Sequence, residues 1–255
     1  MNMTERQELA TIFSCIDNTT LEGADTHQKV QQLCSNSLRM ADAQLAVPHV
    51  AAVCVYPVFV SLCRQLLQGS GIKVASVAGA FPAGQSPIHV KLAEVQYALD
   101  QGADEIDMVI SRGALIEGNA QQVFDEISAI REISAQHTLK VILETGELSP
   151  ELITLASKLA IQAGADFIKT STGKISTGAT LQAARLMLQV IHDHLAHGGR
   201  PVGFKAAGGV STPQQAHDYF HLAQSILGTN NIDNKQFRIG ASRLTNSLFQ
   251  YLSLK

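Results

Sequence analysis

The chain has 255 residues, 45% of them hydrophobic and 16% charged, with a formal net charge of −3. This is a globular composition, and a chain of this length builds a substantial core without metal or disulfide staples. Only 5% of the residues are aromatic, none is Trp and no long basic run occurs, so binding to a nucleic-acid backbone has no support.

Short β-branched apolar runs alternate along the chain with amphipathic stretches of about 15 residues, a helical length. After a short N-terminal helix, strands are expected over 12–17, 51–56, 73–77, 105–110, 140–144, 167–171, 202–207 and 237–241. Helices are expected over 27–41, 57–68, 86–101, 119–134, 149–163, 180–195 and 212–227, with a last one from about 242. Ser149-Pro150 and Thr212-Pro213 each place a capping hydroxyl before a Pro at the first helical position. Gly102, Gly164 and Gly228 follow helical patterns, where a left-handed cap favours Gly.

Strand then helix, eight times over and with no linker, predicts a single α/β domain over 1–255. The expected architecture is a (β/α)8 TIM barrel, and a doubly wound open sheet is its competitor. The N-terminal segment carries acids and no apolar core, against a signal peptide. The longest apolar stretch, 45–62, is broken by Pro48, His49 and Pro57, against a membrane span. Cys15, Cys34, Cys54 and Cys63 form no Cys-x-x-Cys pair and read as reduced thiols of a cytoplasmic protein.

Alternation along the strands then sorts the polar residues. With Ile106, Met108 and Ile110 facing helices, Glu105, Asp107 and Val109 face inward. The same parity sends Lys140 and Glu144, Lys169, and Lys205 inward, and Asp17 ends the first strand. A barrel needing only stability would fill such positions with apolar residues, because a buried ion network is a poor stabiliser. Two inward lysines on adjacent strands are the sharper clue. An isolated lysine titrates at about 10.4, but a second ammonium and desolvation favour the neutral amine, which can attack a carbonyl to form a Schiff base. An acid such as Asp107 could hold a water or shuttle a proton.

Three Gly-containing loops follow late strands: Thr170-Ser-Thr-Gly-Lys174, Ala207-Gly-Gly-Val-Ser211 and Ile239-Gly-Ala-Ser-Arg243. Barrels hold phosphate in this region, where loop amides and helix N-termini point at an anion. Gly173-Lys174 is not a Walker A loop, since positions 168 and 175 are both Ile. His192, His194 and His197 do not share a helix face. His217 and His221 have the i, i+4 spacing of a chelate, but no third ligand belongs to the motif, so no metal site is assigned. Cys54 reads as a small buried hydrophobe.

Phe167-Ile-Lys-Thr-Ser-Thr-Gly-Lys174 with Gly203-Phe-Lys-Ala-Ala-Gly-Gly-Val210 resembles the deoxyribose-phosphate aldolase family. The likeness continues through Asp17-Asn-Thr-Thr-Leu21, Ala52-Val-Cys-Val-Tyr-Pro57, Gly102-Ala-Asp-Glu-Ile-Asp107 and Val141-Ile-Leu-Glu-Thr-Gly-Glu147 to Gly240-Ala-Ser242. It implies a class I, cofactor-free and metal-free lyase that cleaves 2-deoxy-D-ribose 5-phosphate to glyceraldehyde 3-phosphate and acetaldehyde. By motif position Lys169 would form the Schiff base, Lys205 would depress its pKa and relay protons, and Asp107 would transfer protons. Lys174, Gly208, Gly209, Gly240 and Ser242 map to the phosphate site. Asp17, Thr19, Cys54, Thr170, Gly173 and Arg243 complete the expected substrate shell. The only partner implied is the phosphosugar, with a homodimer suggested by family habit alone. The chain departs from the family pattern at Ala206, where relatives carry Pro, and at Arg243, where they often carry Ser. A non-catalytic phosphosugar-binding barrel and a Schiff-base relative such as a transaldolase are the alternatives.

Overall fold

A computed structural model describes residues 3–42, 44–228 and 232–253. After helix α1 (Met3–Ser14), strand β1 (Ile16–Thr19) opens a barrel whose strands pair in parallel and in sequence order until β8 returns to β1. The other strands are β2 (Ala52–Val55), β3 (Lys73–Ala78), β4 (Glu105–Val109), β5 (Thr138–Ile142), β6 (Phe167–Lys169), β7 (Gly203–Ala207) and β8 (Phe237–Ala241). Around them run α2 (His27–Arg39), α3 (Val60–Leu66), α4 (Ile88–Asp100), α5 (Arg112–Ile116), α6 (Ala120–Ile133), α7 (Pro150–Gln162), α8 (Leu181–Ala196), α9 (Pro213–Leu227) and α10 (Leu244–Ser253). The expected barrel is the observed one. Among the described residues no helix is long and apolar enough to cross a membrane.

The caps read from sequence act as caps. The Ser149 hydroxyl accepts from Leu152 N, and Thr212 and Gln215 form a reciprocal capping box. Gly228 closes α9 with φ +67°. Each capping hydroxyl stabilises its helix by about 1 kcal/mol.

Several boundaries differ from expectation, three of them with a plain physical reason. Ile12 and Phe13, expected in the first strand, are buried on α1 instead. With Leu9 they lie three and four residues apart, a helical spacing that prevails over their β propensity. The fifth strand ends at Ile142, two residues early, so Glu144 lies beyond it in a left-handed conformation with φ 58°. The sixth ends at Lys169 because Thr170 turns its hydroxyl to the backbone of β7, donating to Ala207 O and accepting from Ala207 N. A short helix, α5, follows β4 where none was expected.

Strand parity divides the core into two. Val53, Val55, Ile106, Met108, Val141, Ile168, Phe204 and Ile239 face the helices in one large apolar cluster, each burial contributing about 1.5–3 kcal/mol. Ala206 belongs to that outer layer, on the strand face opposite Lys205. Inside the barrel a small apolar group, Leu21, Ala52, Cys54, Ala75 and Val77, fills the β2–β3 side. The other inward positions carry seven charged side chains and, among them, Val109, Ile142 and Phe167.

Candidate active site

The ionic interior follows from strand parity. Asp107 on β4 pairs with Lys140 on β5, and Lys169 on β6 pairs with Lys205 on β7, and the four side chains meet inside the ring. Lys169 Nζ and Lys205 Nζ each lie 2.7 Å from the same oxygen, Asp107 Oδ2. Lys140 Nζ lies 2.8 Å from Asp107 Oδ1 and 2.5 Å from Glu105 Oε2. Lys205 also pairs with Asp17 Oδ2. Deeper in the barrel Arg238 reaches Asp17 Oδ1 at 2.6 Å and Glu105 Oε1 at 2.9 Å, with its guanidinium 5.6 Å from the centre of the Phe167 ring.

This cluster holds four basic groups, Lys140, Lys169, Lys205 and Arg238, against three carboxylates, Asp17, Glu105 and Asp107. One positive charge is in excess in a space from which water is excluded, and the least costly remedy is for one base to shed its proton. The directions in which the pKa values move single out Lys169. Burial lowers its pKa, and repulsion from Lys205 adds to that against the attraction of Asp107. Burial also opposes the charge on Lys140, Lys205 and Arg238, but their carboxylates outweigh it and all three are raised. Burial pushes Asp107 upward, and the three lysines overcome this to hold it well below the usual carboxylate range. The Lys169–Asp107 contact fits a neutral amine as well as an ammonium, because both donate N–H to a carboxylate.

Lys169 forms the inner wall of a cavity of about 220 Å³ at the C-terminal end of the barrel. Of the expected substrate shell, Thr19, Gly173, Lys174, Gly208, Gly209, Gly240, Ser242 and Arg243 line it with Lys169. Gly208 has φ +87°, and a side chain there would come within 3.0 Å of Gly178 Cα, so this close turn of backbone favours Gly. Asp107 and Lys205 lie behind Lys169, fully buried. The structure does not bring Asp17, Cys54 or Thr170 to the cavity. Asp17 sits below in the ion cluster, Thr170 ties β6 to β7, and Cys54 packs among small apolar groups, its thiol pKa raised by burial.

Parity placed Glu144 in the cluster, and this is corrected. It lies beyond the strand and accepts from Thr172 N and Oγ1, bracing the loop that carries Gly173 and Lys174. Arg238 was missed, although the same parity applied to Phe-Arg-Ile-Gly-Ala puts Arg238 and Gly240 inside together. Glu22 was missed too. It lines the cavity and pairs with Lys174 at 2.9 Å, from a loop with no sequence signal of its own.

Comparison with known proteins gives the family and the fold. The model of the DeoC/LacD family of aldolases matches residues 11–244. A solved structure provisionally named a deoxyribose-phosphate aldolase, from Coccidioides immitis, is 30% identical with a TM-score of 0.80, over 93% of this chain and 85% of that one. An aldolase called QR15 is 29% identical with a TM-score of 0.78, over 96% and 99% of the two chains. The tetrameric deoxyribose phosphate aldolase from Aeropyrum pernix is 25% identical with a TM-score of 0.76, over the full length of both.

Proposed function

The chain belongs to the DeoC/LacD family of aldolases, and we propose that within it the chain cleaves 2-deoxy-D-ribose 5-phosphate reversibly through a Schiff base on Lys169. The observation that carries this reading is the shared oxygen: Lys169 and Lys205 donate to one carboxylate atom, inside a cluster with one cation too many.

The neutral Lys169 amine attacks the aldehyde carbon of the open-chain sugar. Lys205, which keeps its proton, is placed to assist the loss of water that turns the carbinolamine into an iminium. The iminium accepts the electron pair of the C2–C3 bond as that bond breaks. The C3 hydroxyl gives up its proton and leaves as the aldehyde of glyceraldehyde 3-phosphate. The remaining enamine takes a proton at C2, and water releases acetaldehyde and the free amine. Asp107 has no face on the cavity, so its proton exchange with substrate runs through the two amines or a water beside them. Lys174, Arg243, Ser242 and the backbone of Gly208, Gly209 and Gly240 would hold the phosphate at the rim. Binding energy gained there fixes the reacting carbons against Lys169.

Borohydride added during turnover of deoxyribose 5-phosphate should trap a covalent two-carbon or sugar adduct, mapped by mass spectrometry to Lys169, and a coupled assay should detect acetaldehyde. An adduct on another residue sinks the assignment of Lys169. Binding of the phosphate ester without acetaldehyde release sinks the substrate.

A further inference from the structure

Away from the barrel mouth, α1 packs against α9 and α10. At the α1–α9 contact His217 and His221, one helical turn apart, present their rings to a single carboxylate, Glu8 of α1. His217 Nε2 lies 2.9 Å and His221 Nε2 2.7 Å from Glu8 Oε1, and the rings stack with centroids 4.0 Å apart. The i, i+4 spacing places both imidazoles on one face. The third donor, absent from the local motif, arrives from a helix at the other end of the sequence.

A single histidine would suffice to satisfy one carboxylate oxygen by hydrogen bonding. Two imidazole nitrogens and an oxygen converging on one point, all within 4.8 Å of one another, is what a cation requires. A tetrahedral ion with bonds of about 2.0–2.1 Å holds its ligand atoms about 3.3 Å apart. Each histidine therefore needs to part from Glu8 Oε1 by only about half an ångström, which surface side chains do by small rotations. His221 is 48% exposed on its side chain, leaving the outer position open to water. Two nitrogens and a carboxylate suit a borderline transition ion such as Zn²⁺, Ni²⁺ or Cu²⁺, whereas Ca²⁺ and Mg²⁺ ask for oxygen ligands.

We infer that Glu8, His217 and His221 form a surface site for a divalent transition-metal ion that clips the N-terminal helix to the barrel. The site is structural and separate from the aldolase cavity, which none of the three residues lines.

The test uses untagged full-length protein, stripped with EDTA and titrated calorimetrically with ZnCl₂. One Zn²⁺ per chain should bind with a dissociation constant in the micromolar range. Saturating ZnCl₂ should raise Tm by on the order of 5 °C, reversibly with EDTA. Loss of even an outer-sphere partner weakens metal sites by about 10–100-fold, so Glu8→Gln and His221→Ala should each weaken binding at least tenfold and abolish the Tm rise. His221→Ala changes an exposed position and Glu8→Gln keeps the side chain's shape, so folding of both is expected and is checked by circular dichroism. No heat in the micromolar range, or undiminished binding in both variants, overturns the proposal. The second result would send the ion elsewhere.

Discussion

Lys91 and Lys169 are both almost wholly withdrawn from water, and their surroundings differ in two respects. Lys91, on α4 outside the barrel, lies 2.8 Å from Glu126 Oε2 and 2.6 Å from Ser111 Oγ, and Ser111 in turn donates to Glu126. It is one cation with a carboxylate to itself. Lys169 shares its carboxylate oxygen with Lys205, and the other oxygen of that carboxylate is taken by Lys140. Burial is common to both, so burial alone does not make a nucleophile. What distinguishes Lys169 is a local excess of positive charge, together with a place on a cavity wall where a freed amine meets substrate.

The comparison breaks most visibly at Asp107. Asp107→Asn removes the carboxylate that three lysines share and leaves four bases with two acids. Turnover should fall by about 10²–10⁴, the usual worth of a proton-transfer group, and stability should fall by about 3–5 kcal/mol as buried charges lose their partner. Steady-state kinetics and urea titration measure the two losses, and near-normal turnover would remove Asp107 from the mechanism.

Arg238 sharpens it. Arg238→Leu deletes a permanent positive charge, leaving three lysines balanced by three carboxylates, so Lys169 is free to keep its proton. The active form is the neutral amine. A raised pKa therefore shrinks the active fraction at pH 7, by about tenfold for every 1.4 kcal/mol by which the ammonium is favoured, and activity recovers as pH rises. The acid limb of the kcat/KM profile should move to higher pH in Arg238→Leu and to lower pH in Glu105→Gln, which removes a negative charge instead. A uniform loss at every pH would mean that Arg238 only holds the barrel together.

How much of this was legible beforehand depends on how far each residue stands from its partners. Asp107, Lys140 and Lys205 sit in the body of their strands and Lys169 is the last residue of its own, so all four fall where period-two alternation holds, and parity alone placed them inside. Glu144 failed because parity holds only while the strand lasts, and Ile142 is the last residue of its strand. The charge count failed with it. Glu144 was set among the inward acids and Arg238 was passed over, so the excess of positive charge did not show. Glu22 with Lys174 and Glu8 with His217 and His221 could not be read at all. Their members lie far apart along the chain, and only closure of the barrel brings β8 and its neighbouring helices back beside α1 and β1.

The smallest effect on catalysis is expected at Lys91, and it is the control for the whole comparison. Lys91→Met leaves the Glu126 carboxylate buried without its cation, so stability should fall by about 3–5 kcal/mol. The double variant Lys91→Met/Glu126→Leu removes both charges and should regain most of that loss, because a well-packed apolar pair replaces a buried ion pair at little cost. Turnover and the pH profile should stay where they are in both variants. The loop over 79–87, which Ser111 touches at Gly84 O, has a second anchor in Arg112, which donates to Pro82 O and Ala83 O and pairs with Glu147. Loss of the Lys91 contact therefore does not release the loop. A displaced acid limb in Lys91→Met would show that a balanced lysine outside the barrel also sets the proton affinity of Lys169. In that case the excess charge inside the ring would no longer account for the free amine.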